Sequence, residues 1–264
     1  MQSAGWHARC VERIKHASKL GDRLGEPDAH DISFLIGFDG WPEDVERFHA
    51  SVARHVDADW ELVVVDNPVD DDGSERLAKL ERVEHVPLRD ALGYGAGRNL
   101  AMRLATGRQL CIVDTSVELT GDVAAPIAAH LDDPAIGLVG RWGVVTKDGF
   151  HFDESPGPDV DGVEGYLMAL RRSDVAKIGM FDPKFRFYRN ADIDFSFQVR
   201  DAGLRTIVDA SLPVERHEHR LWHATPEGKR DDLSHQNFGR FRRHWGERPE
   251  LYVLGPPSGV PTHD

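Results

Sequence analysis

The sequence predicts an α/β protein with a mainly parallel central sheet and helices on both faces. Two observations carry this. Short apolar runs of strand length alternate with stretches of helical spacing through the first half of the chain. Two of those runs, Trp60 to Val65 and Gln109 to Val113, end at Asp66 and Asp114, and ligands of such sheets collect beyond the carboxyl ends of the strands.

The elements follow in order. Val11, Ile14, Ala17, Leu20 and Leu24 share helical spacing, so Trp6 to Leu24 reads as an amphipathic helix ahead of the main fold, closed by Gly25, Pro27 and Asp28. Ile32 to Phe38 is a strand. Pro42 to Val56 is a helix, with Glu43 and Asp44 in its first turn where they favour the helix dipole. Trp60 to Val65 is a second strand, followed by a turn-rich stretch from Pro68 to Ser74. Glu75 to Val83 reads as a helix and Val86 to Leu88 as a short strand. Gly93 to Gly97 reads as a glycine-rich turn that leads to a helix from Arg98 to Ala105 and a strand at Gln109 to Val113.

In the second half, Val123 to Leu131 is helical, Ile136 to Arg141 strand-like, and Lys147 to Gly162 a long polar loop. Gly165 to Arg171 is strand-like, with a helix around Ser173 to Ile178. Ala191 to Gly203 is a helix and Thr206 to Val208 a strand. His223 to Asp232 reads as a mobile polar loop and Leu233 to Trp245 as a late helix, with a poorly ordered Pro-rich tail from Gly255. The expected organisation is an N-terminal helical extension over 1–29, a main domain over 30–222 that divides near residue 120, and the loop, helix and tail over 223–264.

Bulk properties narrow the function. The chain has 264 residues, 40% of them hydrophobic and 29% charged, as in an ordinary globular protein. A formal net charge of -13 supplies no general electrostatic reason to hold nucleic acid or an anionic membrane. No apolar run has the length of a membrane span. The N-terminus does not resemble a signal peptide. The two cysteines, Cys10 and Cys111, make no disulfide framework, so a reducing, cytoplasmic setting is expected.

Asp114 at a strand exit supplies one oxygen to a turn that can hold Mg2+ or Mn2+ against a diphosphate, while Ser116, two residues on, supplies only a neutral hydroxyl. Read on residues alone, Asp114 equally caps a turn, Asp192 and Asp194 form a plain acidic helix start, and Phe185, Phe187 and Tyr188 are core or an acceptor-stacking patch. His217, His219 and His223 are surface histidines, metal ligands or, less simply, a zinc site. Lys229 and Arg230 are solvated loop charges or groups that close on a diphosphate. The glycines of Gly93 to Gly97 brush a dinucleotide fingerprint, but they do not follow the first strand, which disfavours a nicotinamide oxidoreductase.

Five segments in order resemble family 2 glycosyltransferases. Cys111-Ile112-Val113-Asp114-Thr115-Ser116-Val117-Glu118-Leu119 resembles the family's DxD region, and Leu62 to Asn67 its base-contacting strand end. Leu92 to Asn99 resembles its glycine-rich Arg-Asn segment, Gly179 to Asp182 its Gly-Gly-Phe-Asp element, and Asn190 to Phe195 with Arg200 to Gly203 its acidic helix. The resemblance covers roughly Asp31 to His219. It implies a GT-A fold over 30–222, with a nucleotide-binding half at 30–120 and an acceptor half at 121–222, and an inverting transfer from a UDP-, GDP- or dTDP-sugar to a hydroxyl on a small molecule, glycan or glycolipid.

Carried over residue by residue, Asp66, Asn67, Arg98, Asp114 and Ser116 would bind the donor and Asp192 would be the general base, held ionised by the helix N-terminus. Asp194 would meet the acceptor or cap the helix, Tyr188 would meet the acceptor, and Asp114 with His217 or His219 a divalent ion, His217 fitting the count from Asp192 better. Two departures, Ser116 in place of the third DxD carboxylate and Ala191 in place of a Glu, leave the metal in doubt and admit a non-catalytic nucleotide- or partner-binding relative. The N- and C-terminal helices are candidate surfaces for a homo-oligomer.

Overall fold

A computed structural model describes residues 14–15, 20–67 and 71–255. Most of the expected N-terminal helix lies outside the described residues. Its last part, Leu20 to Leu24, is irregular chain with Gly21 at φ +87°. The tail from residue 256 also lies outside.

The first half is built from β1 (His30–Phe38), α1 (Pro42–His55), β2 (Trp60–Asp66), α2 (Asp71–Leu77), β3 (Val83–Pro87), α3 (Tyr94–Leu104) and β4 (Gly107–Val113). The second half adds β5 (Val117–Leu119), α4 (Ala124–Leu131), β6 (Ile136–Gly140), β7 (Gly143–Thr146), β8 (Phe152–Ser155), β9 (Gly162–Val163), β10 (Leu167–Arg171), α5 (Val175–Ile178), α6 (Ala191–Asp201) and β11 (Arg205–Val208). β12 (Val214–Arg216), α7 (Arg220–Ala224) and α8 (Glu227–Trp245) complete it.

Seven strands form the main sheet in the order β11-β6-β10-β4-β1-β2-β3. All neighbours are parallel except β10, which runs antiparallel to both β4 and β6. β1, β2 and β4 are buried over nearly their whole length, as strands covered on both faces must be. One apolar layer packs Phe34, Phe48 and Val64 under α1 and α4, and the other packs Leu35, Leu100 and Phe195 under α3 and α6. A third cluster joins α6 to α8, with the rings of Phe197 and Phe241 edge to face at 5.1 Å.

Several elements differ from the sequence reading. The glycines at 93–97 are not a turn: α3 begins at Tyr94, with Gly93 ahead of it at φ +83°. Gly95 is there for close approach, because a Cβ on it would lie 2.5 Å from the Asp182 carbonyl oxygen. α2 starts earlier and ends sooner than expected, since Val83 is taken by the β2–β3 ladder opposite Leu62. The expected polar loop at 147–162 contains β8, paired with β7. The expected mobile loop at 223–232 is largely helix, because α8 starts at Glu227 and buries Asn237 and Phe241 against the body.

Candidate active site

The strand ends open into two adjoining cavities that share Tyr94 and Tyr188 as a common wall. The larger, about 540 Å3, is lined by Asp114, Glu164, Gly165, Tyr166, Asp192 and His219 among others. The smaller, about 370 Å3, lies over the ends of β1 and β2 and is lined by Asp39, Asn67, Arg98, Arg186 and Lys229.

Asp114 leaves β4 into a tight turn. Its Oδ1 accepts hydrogen bonds from the Ser116 backbone N–H (2.9 Å) and hydroxyl (2.5 Å). Ser116 is buried and lines neither cavity, so its hydroxyl serves to position Asp114. β12 pairs antiparallel with β5, setting Arg216 opposite Val117, and the His217 N–H donates to the Ser116 carbonyl at 2.7 Å. This ladder brings His219 over Asp114, with His219 Nε2 3.3 Å from Asp114 Oδ2. Burial pushes the Asp114 carboxyl up, but His219 and Ser116 outweigh it and hold the group at about 2. Burial likewise disfavours charge on His219, and Asp114 reverses that, so the imidazole titrates above its ordinary value. The Tyr188 ring stacks on His219 at 4.5 Å.

Of the two histidines, the residue count favoured His217, and the structure reverses that choice. His217 turns away, 2.8 Å from Glu118, while His219 lines the cavity. His223 lies on exposed chain beside Glu218 at 3.8 Å.

Asp192 enters the larger cavity from the first turn of α6. Its two oxygens accept the Gly165 N–H (2.8 Å) and the Ile193 N–H (2.9 Å). Each oxygen keeps a lone pair for a further donor. The helix N-terminus does not decide its charge as expected: burial dominates and raises its pKa, with the backbone N–H groups opposing. Glu164 lines the same cavity, its carboxyl raised by burial and then by the Asp192 charge, and it lies 3.9 Å from Arg216.

Asp194 does not belong to this site. Its buried Oδ1 accepts from His244 Nδ1 (3.0 Å) and Trp245 Nε1 (2.9 Å), tying α6 to the end of α8. Residues two apart on a helix point in different directions, which is why one acid faces the cavity and the other α8. Asp66 also departs from expectation. It is fully buried, accepts the Ser74 hydroxyl, and lies 3.5 Å from His85, so it ties β2 to α2 and β3. Its neighbour Asn67 lines the smaller cavity and donates from Nδ2 to Asp39 Oδ1 at 2.8 Å.

Arg98 lies in the same wall, its guanidinium 4.7 Å from the Tyr94 ring centroid and pressed against Gly37, where a Cβ would lie 2.4 Å from Nη1. Lys229 faces the smaller cavity, whereas Arg230 lies over Trp222 at 4.1 Å. Phe185 is core, Phe187 lines the smaller cavity, and Tyr188 lines both.

The sequence reading missed Asp39, Tyr94 and Glu164. Asp39 had a usable signal, since it follows the exit of β1 as Asp114 follows β4. Tyr94 sat among glycines read as a turn, and nothing local marks Glu164.

Asp114 and His219 are the residues that would hold a divalent ion. Their Oδ2 and Nε2 atoms are close enough to share one ion. His219 Nδ1 accepts the Trp222 N–H at 3.1 Å, which favours the proton on Nε2. Ligation through Nε2 moves that proton to Nδ1, and the Trp222 N–H retains the His219 carbonyl at 3.0 Å. Among the described residues no group of three His, Cys, Asp or Glu side chains is placed to hold a metal. The two residues therefore fit half a site, which needs ligand oxygens to complete it.

A mainly parallel sheet with one antiparallel strand, and a cavity lined by an aspartate beyond β4, is the GT-A arrangement. The chain belongs to glycosyl transferase family 2, whose pattern matches residues 40–195, more than half of the sequence. No curated protein matches it. Among solved structures, it is similar to GalNAc-T7 with UDP, GalNAc and Mn2+, at TM-score 0.67 and 16% identity over 89% of this chain and 52% of that one. The mannosyltransferase PcManGT from Pyrobaculum calidifontis, in complex with GDP-Man and Mn2+, is similar at TM-score 0.57 and 20% identity over 75% of this chain and 61% of that one. TarS from S. aureus is similar at TM-score 0.56 and 16% identity, over 80% of this chain and 43% of that one. The likeness is one of fold, and the chain spans about half the length of these structures. Among the described residues no helix is long and apolar enough to cross a membrane.

Proposed function

We propose that the protein transfers a sugar, with inversion, from a nucleotide-diphosphate sugar to a hydroxyl acceptor, and that Asp192 is the general base. The observation that carries this is the shared wall of the two cavities. Tyr94 and Tyr188 separate a chamber over β1 and β2 from a chamber holding Asp192, and Asp114 and His219 line the second chamber beside Tyr188. A nucleoside fits the first, an acceptor the second, and the diphosphate the junction.

The acceptor hydroxyl gives its proton to an Asp192 oxygen as its own oxygen bonds to the anomeric carbon. The bond from that carbon to the diphosphate oxygen breaks, and the nucleoside diphosphate leaves with the electron pair. The Gly165 and Ile193 N–H groups fix the direction of the carboxylate, so the base is positioned before substrate arrives. Asp114 and His219 would hold a divalent ion together with the diphosphate oxygens, as the Mn2+ in GalNAc-T7 and PcManGT suggests. Such an ion supplies counter-charge to the leaving group. Lys229 adds charge from the side of α8.

Asp192→Asn tests the reading. Transfer should fall by at least about a hundredfold while nucleotide affinity, measured by calorimetry, stays unchanged. Undiminished turnover in that variant would remove Asp192 from the role. Absence of transfer by the unaltered protein across a panel of nucleotide sugars, with nucleotide binding intact, would leave a binding protein instead.

A further inference from the structure

The larger cavity has an apolar end that the transfer chemistry does not use. β7 and β8 pair so that Val144 stands opposite Glu154. Phe152, two residues before Glu154 on β8, shares its face. Val144, Phe152 and Glu154 all line the cavity. α8 adds Ser234, His235 and Phe238, which lie three and four positions apart on one side of the helix. Behind these residues is the cluster that contains Val144, Ile193, Phe197 and Phe241, and against it Phe152 and Phe238 are only partly buried. That core is therefore uncovered where it meets the cavity. Phe150 extends the patch: at 53% exposure it is one of two large apolar side chains left exposed among the described residues, and it too lines the cavity. Its ring lies 6.1 Å from that of Phe238, and the Arg242 guanidinium lies 3.5 Å from its centroid. A contiguous apolar patch inside a polar cleft marks the place where an apolar part of a ligand binds.

The polar part of the same cavity is mainly acidic. Asp192, Glu164 and Glu154 line it, and burial, then the Asp192 charge, raises the Glu164 carboxyl. Besides His219, its basic side chains are Arg189 and His235, and Arg189 also lies over Trp222 at 5.4 Å. A carboxylate or phosphate brought in beside the rings would meet three carboxylates, and like charges in a buried site repel.

We infer that the acceptor is a neutral molecule whose hydroxyl is carried close to an aromatic ring, and that this ring packs against Phe150, Phe152 and Phe238. The inference rests on the reading above that the larger cavity takes the acceptor. Rings meet rings in offset or edge-on contacts, and three of them line this one end. A ring also keeps the apolar part and the hydroxyl together inside about 540 Å3, whereas a long alkyl chain outruns it. Packing the ring there removes apolar surface from water on both partners, which a methyl group in the same place cannot match.

Ligand-observed NMR titration of the whole protein with methyl, phenyl, octyl and 4-carboxyphenyl β-glucosides tests it. Phenyl glucoside should bind at least about ten-fold tighter than methyl glucoside, and tighter than the octyl and carboxyphenyl compounds. Phe150 is exposed enough to be replaced without opening the core. Phe150→Ala should weaken phenyl glucoside at least about three-fold and leave methyl glucoside unchanged, while Phe150→Trp should keep the preference, with folding checked by thermal melting. Equal binding of the phenyl and methyl compounds, binding of none of the four, tighter binding of the octyl or carboxyphenyl compound, or phenyl binding untouched by Phe150→Ala would overturn the aryl assignment. Each of these would leave the glycosyl-transfer reading standing, because turnover with the nucleotide-sugar panel decides that reading separately.

Discussion

Asp194 offers the sharpest separation of a structural carboxylate from a functional one. It follows Asp192 by two residues, yet its Oδ1 receives both His244 Nδ1 and Trp245 Nε1 from α8. Replacing it with Ala removes a charge-assisted bond to the indole and a second, half-exposed bond to the imidazole. Such bonds together contribute about 2–4 kcal/mol, a fall in Tm of roughly 5–15 °C for a domain of this size. Asn behaves differently. A single amide oxygen in place of Oδ1 can accept both bonds, and burial, the largest influence on Asp194, raises its pKa above the ordinary carboxylate value. The sign follows: a raised folded pKa means the ionised form costs stability once pH exceeds the unfolded value, so a neutral Asn is no worse at neutral pH. Thermal melting of the Ala and Asn variants at neutral pH, with acceptor KM measured on both, decides the matter. A large Tm loss for Ala, little for Asn and an unchanged acceptor KM are expected. An Ala variant that melts like the unaltered protein but has a raised acceptor KM would refute the structural assignment and restore Asp194 to the acceptor site.

Three further outcomes are expected. Because burial raises the Asp192 carboxyl, the acid limb of the kcat profile should lie above the ordinary aspartate value of about 4, and a limb at or below it would count against Asp192 as the base. Because the proposed ion would take only Asp114 and His219 from the described residues, Mn2+ should bind weakly to the protein alone and much more tightly once a nucleoside diphosphate is present; equal affinity in both titrations would point to ligands elsewhere. Gly95→Ala should destabilise by about 1–3 kcal/mol, since its Cβ would sit 2.5 Å from the Asp182 carbonyl oxygen, and a denaturation midpoint like that of the unaltered protein would show that this contact yields.

The elements that were legible carry their own pattern. β1, β2 and β4 are continuous apolar runs, and α1 and α6 have acidic first turns and apolar faces. What was not legible is specified by distant partners. β5 and β12 have three residues each and exist because they pair across about a hundred positions of chain. α8 begins in a charged stretch whose helical state is held by Phe241 against Phe197 and by Asn237 Nδ2, which bonds the carbonyls of Phe187 and Arg189. The same limit governs the site. The exit of β4 marked Asp114, but only the β5–β12 ladder decides that His219, and not His217, reaches it.

The departure at Ser116 takes on a physical meaning in that setting. A carboxylate there would stand next to Asp114 in a buried turn, and two such charges repel unless a cation lies between them. Ser116 instead donates two hydrogen bonds to Asp114 Oδ1 and leaves Oδ2 to His219. The turn is therefore satisfied by the protein's own hydrogen bonds, and Asp114 is ionised throughout the neutral range with its pKa at about 2. On the proposed function, the serine at this position would weaken affinity for a free ion without disordering the turn, which is why nucleotide and metal should bind as a pair.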